Sequence, residues 1–140
     1  IWLMRILFDI NVVLDVLLKR DPWRAEASQL WDAVAQGKLE GFLAPTTITT
    51  VYYLARKLPA GSAGAKQAIT ACLSTFEICA MDHQTLDAAL SLPGSDFEDS
   101  VQIACAHLTS LDGIVTRNAQ DFASAQCTVY TPAQLLAQLP

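Results

Sequence analysis

The sequence predicts an α/β fold, a mostly parallel β-sheet with helices on both faces. Three observations predict it. Short apolar runs of strand length alternate along the chain with longer segments whose apolar residues recur at helical spacing. The strand runs are nearly continuous in apolar residues, as in a sheet covered on both sides. Helix-start and helix-stop residues stand between the runs, so each strand feeds a helix and each helix returns to a strand.

The elements follow in order. Leu3 to Phe8 is an apolar strand that stops at Asp9. It lacks the basic leader and small-residue cleavage site of a secretion signal. Ile10 to Leu18 is helical. Asp21-Pro22 predicts a helix start, with Asp as N-cap and Pro in the first turn. Trp23, Ala27, Leu30, Trp31 and Val34 then lie on one inward face, and Gly37 ends the helix in a left-handed conformation. Leu39 to Ala44 is the second strand. Pro45-Thr46 opens a helix with Ile48, Val51, Tyr52 and Ala55 on one face. Pro59 to Ser62 is a turn into a helix that runs through Leu73. Phe76 to Ala80 is a third apolar strand, and Asp82 caps a helix ending before Pro93-Gly94. Asp96 begins a helix with Val101, Ala104, Cys105 and Leu108 facing inward. Gly113 to Thr116 and Cys127 to Tyr130 are buried strands, and Thr131-Pro132 starts a last short helix. With no repeat, linker or low-complexity tract, residues 1–140 are expected to form a single domain.

Composition narrows the function classes. At 140 residues and 52% hydrophobic content, the chain is long and apolar enough to bury a core and is not disordered. No apolar run approaches the roughly 20 residues of a membrane span, so no membrane partner is expected and the protein reads as cytoplasmic. Cys72, Cys79, Cys105 and Cys127 form no C-x-x-C pair and have no His at zinc-site spacing. They read as reduced core thiols. A net charge of −5 is not the footprint of an ordinary nucleic-acid binder, so any such role needs local basic groups or metal ions. His83 and His107 fall near helix ends, where surface or capping roles suit them.

Chemistry in an open α/β sheet gathers where strands end and helices begin. Three acidic groups fall there: Asp9 after the first strand, Asp96-Phe97-Glu98-Asp99 at a helix start, and Asp121 just past the Gly113–Thr116 strand. Each acid has a structural role open to it. Asp9 suits an N-cap, Asp96 and Asp99 suit a cap and a first-turn acid, and Asp121 suits a turn. Together at one sheet edge they would repel one another unless a cation intervened. Oxygen ligands without thiol or imidazole point to Mg²⁺ or Mn²⁺, ions that activate water and shield a phosphodiester during in-line attack.

These residues carry a family resemblance. Leu7-Phe8-Asp9-Ile10-Asn11-Val12-Val13-Leu14-Asp15, Asp96 to Gln102, and Val115-Thr116-Arg117-Asn118 with Asp121-Phe122 resemble the motifs of the PIN domain family, in order and over nearly the whole chain. The resemblance implies a three-layer α/β/α fold with a central parallel sheet of about five strands. It also implies a Mg²⁺- or Mn²⁺-dependent ribonuclease similar to the VapC-like toxins of toxin–antitoxin pairs, with an RNA substrate, an antitoxin protein as partner, and a homodimeric state. Carried over by position, Asp9 corresponds to the first metal-binding acid and Asn11 to the polar residue beside it. Asp99 corresponds to the helix-borne acid, with Asp96 as a further ligand, and Thr116 to the residue that braces the pocket. Two positions depart from the pattern. Thr50 stands where an acid is usual, and Asn118 stands where the acid after the Thr-x pair is expected, so Asp121 or the Asn118 amide has to substitute. Glu98 is a further source of negative charge.

The expected mechanism has Asp9, Asp96, Asp99 and Asp121 hold the metal, while Asn11 and Thr116 position ligands or water. Arg117 beside the site, with Lys19, Arg20, Arg24, Arg56 and Lys57, would contact the RNA backbone. Two rivals remain open. One is a PIN-like binding module without activity, suggested by Thr50 and Asn118. The other is a phosphatase using an Asp after strand one, whose Asp-x-Asp pattern is broken by Asn11.

Overall fold

The computed structural model describes residues 2–94 and 96–140. Its sheet has five strands, all parallel: β1 (Arg5–Phe8), β2 (Glu40–Leu43), β3 (Glu77–Ile78), β4 (Gly113–Val115) and β5 (Thr128–Tyr130), in the spatial order β3-β2-β1-β4-β5. The chain steps outward from central β1 to β2 and β3. It then returns to the opposite side of β1 to lay down β4 and β5. The winding direction therefore reverses between β1 and β4, which opens a crevice at their carboxyl ends.

Among the described residues, seven helices cover the sheet: α1 (Ile10–Leu17), α2 (Arg24–Ala35), α3 (Pro45–Ala55), α4 (Gly61–Thr75), α5 (His83–Leu90), α6 (Phe97–Leu108) and α7 (Pro132–Gln138). Strand alternation sorts them into two layers. Ile6, Phe8, Leu43 and Val115 face a core built with Val12, Val13, Leu30, Val51, Cys72 and Leu135. Leu7, Phe42 and Ile114 face the other core, with Ala89, Val101, Ala104 and Cys105. The expected three-layer α/β/α architecture is thus the observed one. No helix among the described residues is long and apolar enough to cross a membrane.

Local chemistry explains most element ends. Asp82 and Thr85 form a reciprocal capping box at α5, as Thr131 and Gln134 do at α7. Gly37 takes the left-handed conformation expected of it, φ +74°.

Several expectations are corrected. α2 begins at Arg24, not at Asp21-Pro22, because the Asp21 carboxylate caps nothing and instead lies 3.8 Å from Arg24 Nε. Trp23 therefore falls outside the apolar stripe and is 44% exposed, while Trp31 packs edge-on against Phe76 at 4.9 Å. The third strand shrinks to two exposed residues, because a sheet edge pairs on one side only. Phe76 and Cys79 beside it supply the burial. Leu108, expected inside, is exposed at the last turn of α6. A 3₁₀ turn at Ala119–Phe122, not anticipated, buries Phe122. His107 Nε2 accepts from the Gln126 N–H at 2.9 Å and burial lowers its pKa, so it packs as neutral imidazole instead of as a cation at the helix end. The four cysteines are free thiols, three buried and Cys127 half-buried.

Candidate active site

Asp9 stands at the crevice between β1 and β4. It continues the ladder past the end of β1, donating its N–H to Val115 O at 3.0 Å, and it occupies the N-cap position of α1. Its side chain does not cap that helix. It turns into the protein, where only 2% of the residue is exposed. Oδ1 accepts from Gln102 Nε2 at 3.1 Å and Oδ2 from the Thr116 hydroxyl at 2.9 Å. Both partners are themselves fully buried. Gln102 Oε1 accepts from the Ile10 N–H at 3.3 Å, and Thr116 Oγ1 accepts from the Asn118 N–H at 3.0 Å. The carboxylate is thereby tied to α6 on one side and to the exit of β4 on the other. Burial raises the Asp9 pKa, partly offset by these donors.

The other acids gather at the head of α6 and in the 3₁₀ turn after β4. Asp96 caps α6, its Oδ1 accepting from the Asp99 N–H at 3.0 Å. Asp99 lies in the first turn of that helix. Burial, with Asp96, Asp9, Asp121 and Glu98 around it, pushes its pKa up to about 7. Glu98 is raised by burial and by the charges of Asp96 and Asp9. Asp96, Asp99 and Asp121 line one cleft of about 340 Å³ together with Ser100, Ile103, Gln120 and Ser124.

Asp96, Asp99 and Asp121 thus share one cleft, while Asp9 lies buried close enough for its charge to act on Asp99. Among the described residues, no three Asp, Glu, His or Cys side chains stand within joint reach of a single ion. The donor set nonetheless suits a hard divalent cation in its chemistry. It is oxygen-only, it holds the Asp99 pKa up through burial and then through the neighbouring acids, and it is adjustable, since Asp96 and Asp121 are exposed and Asp99 is half-buried.

The predicted binding residues separate. Thr116 braces Asp9 directly. Asn11, in the first turn of α1, and Asn118, just past Thr116, are half-buried beside it. Arg117 turns away from the acids. Its Nε and Nη2 grip Asp15 Oδ2 and Oδ1 at 2.9 and 3.3 Å, and its guanidinium lies 3.9 Å above the Trp23 ring. Thr50, the non-acidic position, bonds back to the Thr46 carbonyl at 3.0 Å, an ordinary helix contact.

Sequence reasoning missed two members of the site, Gln102 and Asp15. Gln102 was legible as a polar residue one turn after Asp99, on the same face of α6. Asp15 closed the first family motif, but nothing in the sequence marked it as buried. A lone acid late in an apolar helix reads as solvent-facing, yet it is 1% exposed.

Residues 5–120 match the family model described as PIN domain. No curated protein matches the chain in sequence. Among solved structures, VapBC2 from Rickettsia felis, bound to a DNA fragment from its promoter, has a TM-score of 0.69 at 12% identity, over 91% of this chain and 98% of that one. VapC20 of Mycobacterium tuberculosis, a sarcin-ricin loop cleaving toxin, has a TM-score of 0.67 at 14% identity, over 88% and 96%. VapBC-1 from nontypeable Haemophilus influenzae has a TM-score of 0.68 at 12% identity, over 93% and 99%. At these identities the likeness is one of fold.

Proposed function

Because the chain belongs to the PIN domain family, we propose that it is a divalent-metal-dependent ribonuclease and the toxin of a toxin–antitoxin pair, acting as a single domain. The observation that carries this reading is the crowding of Asp9, Asp96, Glu98 and Asp121 around Asp99 at the β1/β4 crevice. Like charges held together at a strand-end crevice are costly unless a cation binds there. The fold neighbours support the toxin reading, since one is a toxin that cleaves the sarcin-ricin loop and two carry names of toxin–antitoxin complexes.

In this reading Asp9, Asp99, Asp96 and Asp121 hold Mg²⁺ or Mn²⁺. When bound, the ion supplies an activated water and neutralises charge on the phosphate. Asp9 is the fixed member, because both of its oxygens already have partners on rigid elements. Gln102 and Thr116 orient it, as donors to a ligating carboxylate do in metal sites. Asp96 and Asp121 are the exposed members that would complete the ligand set. Asn11 and Asn118 offer amides to bound water or to the RNA. An antitoxin partner would silence the enzyme by covering the acidic cleft, and a homodimer is the expected assembly.

The test is cleavage of RNA by purified protein. Activity should appear with Mn²⁺, stop on chelation, and fall roughly 10²-fold or more in Asp9→Asn and Asp99→Asn. Full activity in either variant would refute the assignment. A PIN-like module without activity is the second reading, favoured by the lack of any three-ligand cluster among the described residues. It predicts no saturable Mn²⁺ binding, which calorimetry reads directly.

A further inference from the structure

Trp23 is the large aromatic that the core leaves out. It lies between α1 and α2, belongs to neither hydrophobic cluster, and is 44% exposed. It is also held in place. The Arg117 guanidinium covers one ring face at 3.9 Å, and Asp15, itself 1% exposed, fixes that guanidinium through two hydrogen bonds. Arg117 thus occupies one face of the ring, and the residue still keeps 44% of its surface exposed. Arg117 follows Thr116, whose hydroxyl bonds Asp9, so the residue that holds the ring is next in sequence to one that holds the buried acid.

The charge around it differs from that of the chain as a whole. The net charge is −5, yet Lys19, Arg20, Arg24 and Arg117, four of the nine basic residues, lie in or against this one connection and outnumber the two acids that pair with them, Asp15 and Asp21. Arg20 and Arg24 keep 33% and 46% of their side chains exposed. A polyanion drawn toward a cluster of carboxylates needs cations beside it to offset the repulsion. An aromatic face flanked by cations is the surface that binds unpaired nucleotides, the ring stacking on a base while the cations track the backbone.

We propose that Trp23 is a stacking platform for one nucleobase of single-stranded RNA, with Lys19, Arg20 and Arg24 contacting the adjoining phosphates. This rests on the reading of RNA as substrate and places part of that substrate outside the acidic cleft, on the α1–α2 side. A ring already fixed by Arg117 loses little freedom on stacking, which favours affinity.

The experiment uses the whole protein in chelator, so that binding is read without cleavage, with a short single-stranded oligoribonucleotide as the probe. RNA should quench tryptophan fluorescence. Trp23→Ala should lower affinity roughly ten-fold, with Trp23→Phe recovering most of it. Removing one base at a time from the probe should cost the wild type a similar factor at one position, while that position costs Trp23→Ala nothing further. A merely structural role for the ring would not produce this positional coupling. With Mn²⁺ present the loss should appear in KM. Equal RNA affinity in wild type and Trp23→Ala, or equal sensitivity of both to every abasic position, would overturn the proposal. So would a Trp23→Ala protein that keeps its RNA affinity but loses a protein partner, which would assign the face to that partner. Trp23-dependent RNA binding without Mn²⁺-dependent cleavage would sustain the platform and defeat the nuclease reading. Cleavage with an unchanged KM in Trp23→Ala would do the reverse.

Discussion

Arg117 grips Asp15 one residue after Thr116 bonds Asp9. Asp9 and Asp15 stand at the head of α1 and further along it, and Thr116 and Arg117 are consecutive at the exit of β4. Two cross-links thus fasten one loop to one helix, and the outer one holds the register of the inner. Breaking a buried pair leaves an uncompensated charge, which is costlier than removing both partners. Arg117→Ala should therefore destabilise the protein by about 3 kcal/mol, with Arg20, 3.9 Å from Asp15, limiting the loss. The double variant Asp15→Leu/Arg117→Met should recover most of that in urea denaturation. If the outer link sets the register, Arg117→Ala should also weaken Mn²⁺ binding, although Arg117 touches no acid of the cleft.

The inner links make a sharper prediction. Thr116→Val keeps the shape of the side chain, but it strands Asp9 Oδ2 and the Asn118 N–H. Gln102→Leu likewise strands Asp9 Oδ1 and the Ile10 N–H. Each should cost about 1–3 kcal/mol, the price of a buried group left unpaired. Each should also reduce cleavage by more than the stability loss explains, because Asp9 loses its orientation. Thr116→Ser, which keeps the hydroxyl, should retain most of both. Thermal melts and Mn²⁺-dependent RNA cleavage on the same preparations separate the two effects.

The sheet was legible in the sequence because parallel strands buried on both faces leave continuous apolar runs, and Leu7, Phe42 and Ile114 lie within such runs. Asp9, Asp96, Asp99 and Asp121 were legible because strand ends and helix starts are the places where acids can converge. The start of α2 was misread because Asp21-Pro22 carries a local helix signal that the chain does not use: the exposed Asp21 carboxylate lies beside Arg24, and the helix starts there without a side-chain cap. The burial of Asp15 and the direction of Arg117 were not legible, although both residues stood in the family motifs. A buried ion pair between residues so distant in the chain leaves no periodic trace, and each partner alone reads as surface charge. Trp23 was assigned to the core because its spacing fits the α2 stripe, and only the later helix start removes it.

The crowded acids should make the free protein less stable as pH rises. The Asp99 pKa is pushed from 3.8 up to about 7 by burial first, then by Asp96, Asp9, Asp121 and Glu98. The folded state therefore holds the Asp99 proton more tightly than the unfolded chain does. That contribution is fully present below about pH 4 and is lost as pH rises through about 7. Asp9 and Glu98 are shifted in the same direction and add to it. Without metal, the melting temperature should fall between pH 5 and pH 8. Asp99→Asn, which carries no charge to repel, should melt higher than wild type at pH 8 and nearly level with it at pH 4. Mn²⁺ should reverse the order at pH 8, because a cation relieves the same repulsion and competes with the same proton. Its affinity for wild type should accordingly rise with pH up to about 7 and then level off. A flat melting profile in the metal-free protein, or equal stabilisation of both proteins by Mn²⁺, would show that the acids neither repel one another nor share an ion.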